Sequence, residues 1–174
     1  MDVPFIYNNG FYRGTGVHIN GMCQWWGIRY SYLEECLISF DLINEVLVTT
    51  PASLDMYEGC ELGRMVRHLV VLNESISLIS NCPDTTTFHI SILSELGMEK
   101  SWIKLFIVGP IPFIECPTGV EKKGMICFKK YDDDLVWIDL STHIIDEIDV
   151  NGARLGCKTL FYKETFFSIG GINN

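Results

Sequence analysis

Residues 88–108 read FHISIL (88–93), SELGMEKS (94–101) and WIKLFIV (102–108). In the first run Phe88, Ile90 and Ile92 share one side of an extended chain, and His89 and Ser91 share the other. In the second, Ile103, Leu105 and Ile107 alternate with Trp102, Lys104 and Phe106. Side chains alternate across a strand, so period two over six or seven residues marks half-buried strands rather than helix. The joining octet holds Gly97 and three charged residues, Glu95, Glu99 and Lys100, and must turn in water. The pair reads as an antiparallel hairpin whose loop is longer than the usual two to five residues. Long loops carried on rigid sheets are where binding concentrates.

Outward from this hairpin the same grammar repeats. Asn20-Gly21, between VHI and MCQWWGI, is a type I′ hairpin signal, because that turn needs positive φ at both central residues. Residues 36–50 read as two strands around Asp41–Glu45, with Pro51 ending the second. Residues 66–80 read as strand, Asn73-Glu74 turn and strand. Gly109-Pro110-Ile111-Pro112 breaks the sheet. Residues 124–130, 134–140 and 144–150 read as three further strands, joined by turns at 131–133 and 141–143. Asn151-Gly152 is another turn, and 159–169 reads as a last hairpin. Val3, Phe5 and Tyr7 alternate like the end of a strand, and Asn8-Asn9-Gly10 is a turn.

The segments CLISFDLINEVLVTT, FHISILSELGMEKSWIKLF and LVWIDLSTHIIDEIDV share one plan: strand, polar turn, strand. Each follows another strand pair, read in VHINGMCQWWG, VRHLVVLNESISLIS and GMICFKKYDDD. Asp41 and Asp139 occupy matching places, with Ser94 at that place in the middle copy. The spacing of roughly 45 to 50 residues is the blade length of kelch-type propellers, with four strands per blade. The expected fold is all-β: a partial, kelch-like β-propeller of about three blades of antiparallel strands.

The chain has 174 residues, one domain by length, able to bury about 70% of its unfolded surface. Apolar residues make up 48%, enough for a packed core and too many for a disordered chain. The formal charge is −9, and no Lys/Arg run exceeds two adjacent residues. Phosphate contacts need a basic footprint, so nucleic acid is not an expected partner. No apolar run approaches the 18 residues that a membrane helix needs, and the N-terminus lacks a signal peptide's basic and apolar regions. No membrane association is expected.

The seven cysteines are scattered and form no C-x-x-C pair. They read as reduced, small apolar residues of a cytoplasmic or nuclear protein. The four histidines have no ligand spacing and read as polar residues on strand faces. Asp132-Asp133-Asp134 reads as a solvated turn, since it lacks the alternating ligands and central glycine of a calcium loop. No nucleophile elbow, phosphate loop or H-E-x-x-H is present. No catalytic residue, metal or cofactor is expected.

Interfaces favour Tyr, Trp and Arg, which give large contact area at low entropic cost. Tyr30, Tyr32 and Tyr57, flanked by charge in loops, are the candidate partner contacts. Trp25 and Trp26 fall on opposite faces of one strand. One belongs to the core and the other faces a neighbouring sheet or a partner, and Trp26 is the candidate for the second role. The candidate contact loops are 28–35, 51–65 and 94–101.

SELGMEKSWIKLF resembles the "EYG…SW.KLF" segment of the plant F-box-associated domain, the C-terminal recognition part of F-box proteins that include S-locus and kelch-like ones. VHINGMCQWW is similar to that family's "V.LNG..HWW", LISFDLINEVLVTTP to "I.SFDL..E.F...P", and HLVVLNESISLI to "L.VL...LSL". WIDLSTHIIDEIDV is similar to "YDL.T..I..I.V" and FYKETFFSI to "Y.ESLVS", in the family's order along residues 1–174. The resemblance implies a protein-interaction module, not an enzyme, that recruits a target protein for ubiquitination by an SCF-type ligase. A Skp1-type adaptor would join only through an F-box upstream. The F-box and the first blades of the family's domain have no counterpart here, so a truncated or self-associating fragment is the alternative. A metal-dependent enzyme on the same scaffold is a further one.

Overall fold

The computed structural model describes residues 5–6, 16–29, 34–52, 65–98, 100–121 and 124–148. Thirteen strands, and no helix, occur among the described residues. They form three consecutive antiparallel sheets, each drawn from a contiguous stretch of chain.

The first sheet is a meander of β2 (Val17–Ile19), β3 (Met22–Arg29), β4 (Glu34–Asp41) and β5 (Val46–Pro51). A short strand β1 (Phe5–Ile6) pairs with the far end of β3, Phe5 opposite Arg29. The second sheet is β6 (Val66–Leu72), β7 (Ser75–Asn81), β8 (Phe88–Leu93) and β9 (Trp102–Val108). The third is β10 (Ile114–Glu121), β11 (Met125–Lys130), β12 (Leu135–Asp139) and β13 (Ile145–Ile148). Strand β6 touches β2 and β3 on one side and β10 on the other.

The turns follow local chemistry. Asn20 and Gly21 have φ of 51° and 75°, the two positive values of a type I′ turn. Asn73 and Glu74 also both have positive φ, without a glycine. Asp41 and Asp139 end β4 and β12, and each carboxylate caps the turn that follows. Ser94 sits at the same place after β8, where its hydroxyl donates to the Ser101 carbonyl at 2.8 Å.

The first three strands of the second sheet are largely buried on both faces, whereas outer strand β9 is exposed along its middle. Trp26, Leu37, Leu69, Ile76, Leu78 and Trp102 fill the space between the first and second sheets. Leu72, Ile79, Phe88, Ile90, Ile126, Phe128, Val136 and Ile138 fill that between the second and third. Phe88 and Phe128 meet with ring centroids 4.8 Å apart.

Several expectations are corrected. Strand β10 lies where no strand is expected, because Pro117 and Gly119 interrupt its pattern. Among the described residues it pairs only with β11, and its register shifts between Ile114 and Cys116 and again between Pro117 and Gly119. An edge position tolerates a proline with no N–H to give. Second, Trp102 and Phe106 do not share a face. The register of β9 slips between Ile90 and Ser91, so Trp102 faces the first sheet while Phe106 and Val108 face the third. Third, Ile28, Arg29, Glu34 and Glu35 belong to strands, not to a loop. His143 lies in a turn with φ of 58°, not on a strand face.

Cys23, Cys36 and Cys127 are free thiols, but Cys82 is disulfide-bonded, against the expectation of seven reduced cysteines. Burial pushes the Cys36 thiol up to about 11. The 8–10 and 151–152 turns, the 159–169 hairpin and the C-terminal tail lie outside the described residues.

Candidate functional site

The interface between the first and second sheets changes character along its length. Residues alternate on β3, so Met22, Gln24, Trp26 and Ile28 share the face turned to the second sheet, with Glu35, Leu37 and Ser39 opposite them on β4. At one end Arg67, fully buried, donates through Nε to Glu35 at 2.5 Å and through an Nη to Ser80 at 2.8 Å. Its guanidinium lies 5.4 Å from the Trp26 ring centre. In the middle, Trp26 and Trp102 meet edge to face. The far end opens as a cleft of about 370 Å3.

Three turn regions build that cleft. Ile19, Asn20, Met22 and Gln24 come from β2, β3 and the turn joining them. Glu74, Ser75 and Ile76 come from the tip and start of β7. Leu93, Ser94, Glu95 and Leu96 come from the end of β8 and the loop opening the long hairpin. Apolar side chains make the walls, and Glu74 and Glu95 stand exposed at the mouth. Among the described residues no Lys, Arg or His lines it. Gln24 is only 1% exposed, and its Oε1 has no hydrogen-bond partner among the described residues.

The 94–101 loop is held rather than left free. The Gly97 N–H donates to Thr50 Oγ1 at 2.8 Å, and the Trp102 indole N–H donates to the Pro51 carbonyl at 3.1 Å. Within the loop, the Ser101 hydroxyl donates to the Met98 carbonyl at 2.9 Å. Gly97 has φ of 76°, and a Cβ there would sit 3.2 Å from Val48 Cγ1. The neighbouring 42–45 turn is tied in through the Leu42 N–H, which donates to the Gly21 carbonyl. This end of the molecule therefore presents Leu42, Ile43 and Met98, which are 50%, 82% and 52% exposed, beside the cleft.

Tyr30, Tyr32 and Tyr57, and most of the expected 51–65 contact loop, lie outside the described residues. Trp26 is a core residue, 3% exposed, enclosed by Trp102 and Arg67. Its indole has no surface to offer a partner, and Trp25, on the other face, is half-buried. The 94–101 loop is the one expected contact segment described nearly throughout, and it lines the cleft.

Among the described residues no group of three or more His, Cys, Asp or Glu gathers as a metal site. Lys129 bonds Asp133 at 2.6 Å and Glu115 at 3.1 Å, which drives the lysine's pKa up and uses one of the 132–134 carboxylates in a surface ion pair. No described helix is long and apolar enough to cross a membrane.

Two features gave no sequence signal. Gln24 sits in a strand whose alternation alone does not show which polar residue is enclosed. Phe113 and Tyr131 are 69% and 72% exposed and joined by a Tyr131 N–H to Phe113 carbonyl bond. No protein-family model, no curated protein and no solved structure matches this chain.

Proposed function

We propose that this chain is a protein-interaction module of the F-box-associated kind. Its three sheets act as blades of a partial, kelch-like propeller. What supports the propeller reading is the order of the meanders. Each sheet holds four strands consecutive in the chain, the first sheet adding the short β1, and β6, which opens the middle sheet, approaches β2 and β10. In a propeller the first strands of the blades surround the common axis.

The observation that carries the interaction reading is the clamped end of the first two sheets. The 94–101 loop and Trp102, which follows it, are pinned to β5 by one hydrogen bond each, and beside them Leu42, Ile43 and Met98 stand exposed. A rigid site loses little conformational entropy on binding, so its exposed apolar contacts translate into affinity. The mechanism is positional. The chain holds a target protein while an SCF-type ligase transfers ubiquitin, and makes or breaks no bond itself.

The test is affinity capture with the wild-type chain and with an Ile43→Asp/Met98→Asp variant, followed by calorimetry on each recovered protein. Both residues are exposed, so the fold is spared. A protein that binds the wild type directly and loses the variant supports the reading. Equal binding to both chains, or none to either, overturns it.

Self-association is a second reading with its own observation. Outer strand β9 exposes Ile103, Leu105 and Ile107, 51%, 42% and 51% respectively. An apolar edge strand is a template for pairing with another chain. Light scattering behind size exclusion separates the readings: a monomer removes this one.

A further inference from the structure

We propose that the cleft between the first and second sheets receives a basic side chain, arginine or lysine, from an extended segment of the partner protein. This rests on the interaction reading and gives that partner its chemistry.

Three observations converge. The first is Gln24. Gln24 is a lining residue of the cleft, and its buried amide oxygen accepts no hydrogen bond among the described residues. A buried acceptor is costly to leave unmade, and a donor from outside would satisfy it. The second is charge. Glu74 and Glu95 stand at the mouth with no cation among the described lining residues, and the chain carries a net −9. A concave site lined by one sign of charge focuses its field and attracts the opposite sign. The third is shape. Ile76 and Leu93 give apolar walls to a cleft of about 370 Å3, within the usual range for ligand sites. Lysine and arginine carry apolar stems beneath charged heads, so walls and acceptors suit one side chain together. An acidic or purely apolar segment would leave either the carboxylates repelled or Gln24 unmatched. A guanidinium is more weakly hydrated than an ammonium and offers five donors, so arginine is the better fit.

The test titrates the isotope-labelled chain with N-acetyl-arginine amide and follows backbone and side-chain amide signals by NMR. Saturable shifts are expected at the Gln24 side-chain amide and at residues 74–76 and 93–96. They should be weakened by added salt and absent with N-acetyl-norleucine amide, which has a similar stem without the charge. Glu74→Gln/Glu95→Gln, at two exposed positions, should raise the dissociation constant about tenfold, and Gln24→Met should act in the same direction. Equal shifts from the norleucine compound, shifts confined to other residues, or no saturation up to the solubility limit would overturn the proposal. A protein partner that binds the Ile43/Met98 end while the arginine compound fails would sink this inference and leave the interaction reading standing. Arginine binding in the cleft, with no protein partner recovered, would do the reverse.

Discussion

Trp102 closes edge-on against Trp26, ring centroids 5.7 Å apart at 68°, across the boundary between the first and second sheets. Trp102 also ends the 94–101 loop and bonds back to Pro51, so one residue joins the hairpin, the core and the candidate site.

Replacing Trp26 by alanine removes the partner of that contact and empties the centre of the interface. The expected loss is about 3–5 kcal/mol, as for other buried aromatic truncations. Urea unfolding of both chains measures it. A loss near zero would mean that the two sheets do not depend on this contact.

The Arg67–Glu35 pair lies in the same interface, with both side chains almost wholly enclosed. Arg67→Met removes the bonded guanidinium from the buried Glu35 carboxylate and should cost about 3–5 kcal/mol. Glu35→Met/Arg67→Met removes both charges and should recover most of that loss. A double-mutant cycle reads the difference, and strict additivity would contradict the account.

Gly97→Ala tests how the loop is held. At φ of 76° an alanine is strained, and its Cβ crowds Val48. The expected cost is about 1–2 kcal/mol, with NMR shifts spreading from residues 94–98 to Thr50. An unchanged Thr50 would show that the Gly97 hydrogen bond does not hold the loop against the first sheet.

Acid should weaken the two matching turns. The Asn44 side chain, then the Asn44 and Ile43 N–H groups, hold the Asp41 carboxyl below its ordinary 3.8. The Ser141 hydroxyl, then the Ser141 and Thr142 N–H groups, do so for Asp139. A carboxyl depressed in the folded state stabilises it above the unfolded value, and that stability is lost as pH falls through the folded value. Asp41→Asn/Asp139→Asn should therefore be less stable than wild type near neutrality, with the gap closing below about pH 4. A gap independent of pH would show that these carboxylates do not stabilise the turns through their charge.

Much of the fold was legible because its signals are local. Asn20-Gly21 marks its own turn, Asp41 and Asp139 end β4 and β12, and Ser94 directly follows β8. What was hidden is not local. Pro117 masks an edge strand whose existence depends on pairing with β11. The slip in β9 is a property of two strands, and it alone decides which sheet Trp102 meets. Arg67 in an apolar run carries no sign that Glu35, distant in sequence, enters the same interface. The cleft was legible only on one side: the 94–101 loop stood out by its length, whereas Gln24 and Glu74 join it through packing of two sheets.

Deuterium exchange on the chain, free and bound to a protein recovered by affinity capture, tests the central claim most directly. The account predicts slowed exchange at residues 20–24, 42–45, 74–76 and 93–98, the end that holds the cleft and the clamped loop. Protection confined to the outer strands, or none on adding that protein, would contradict it.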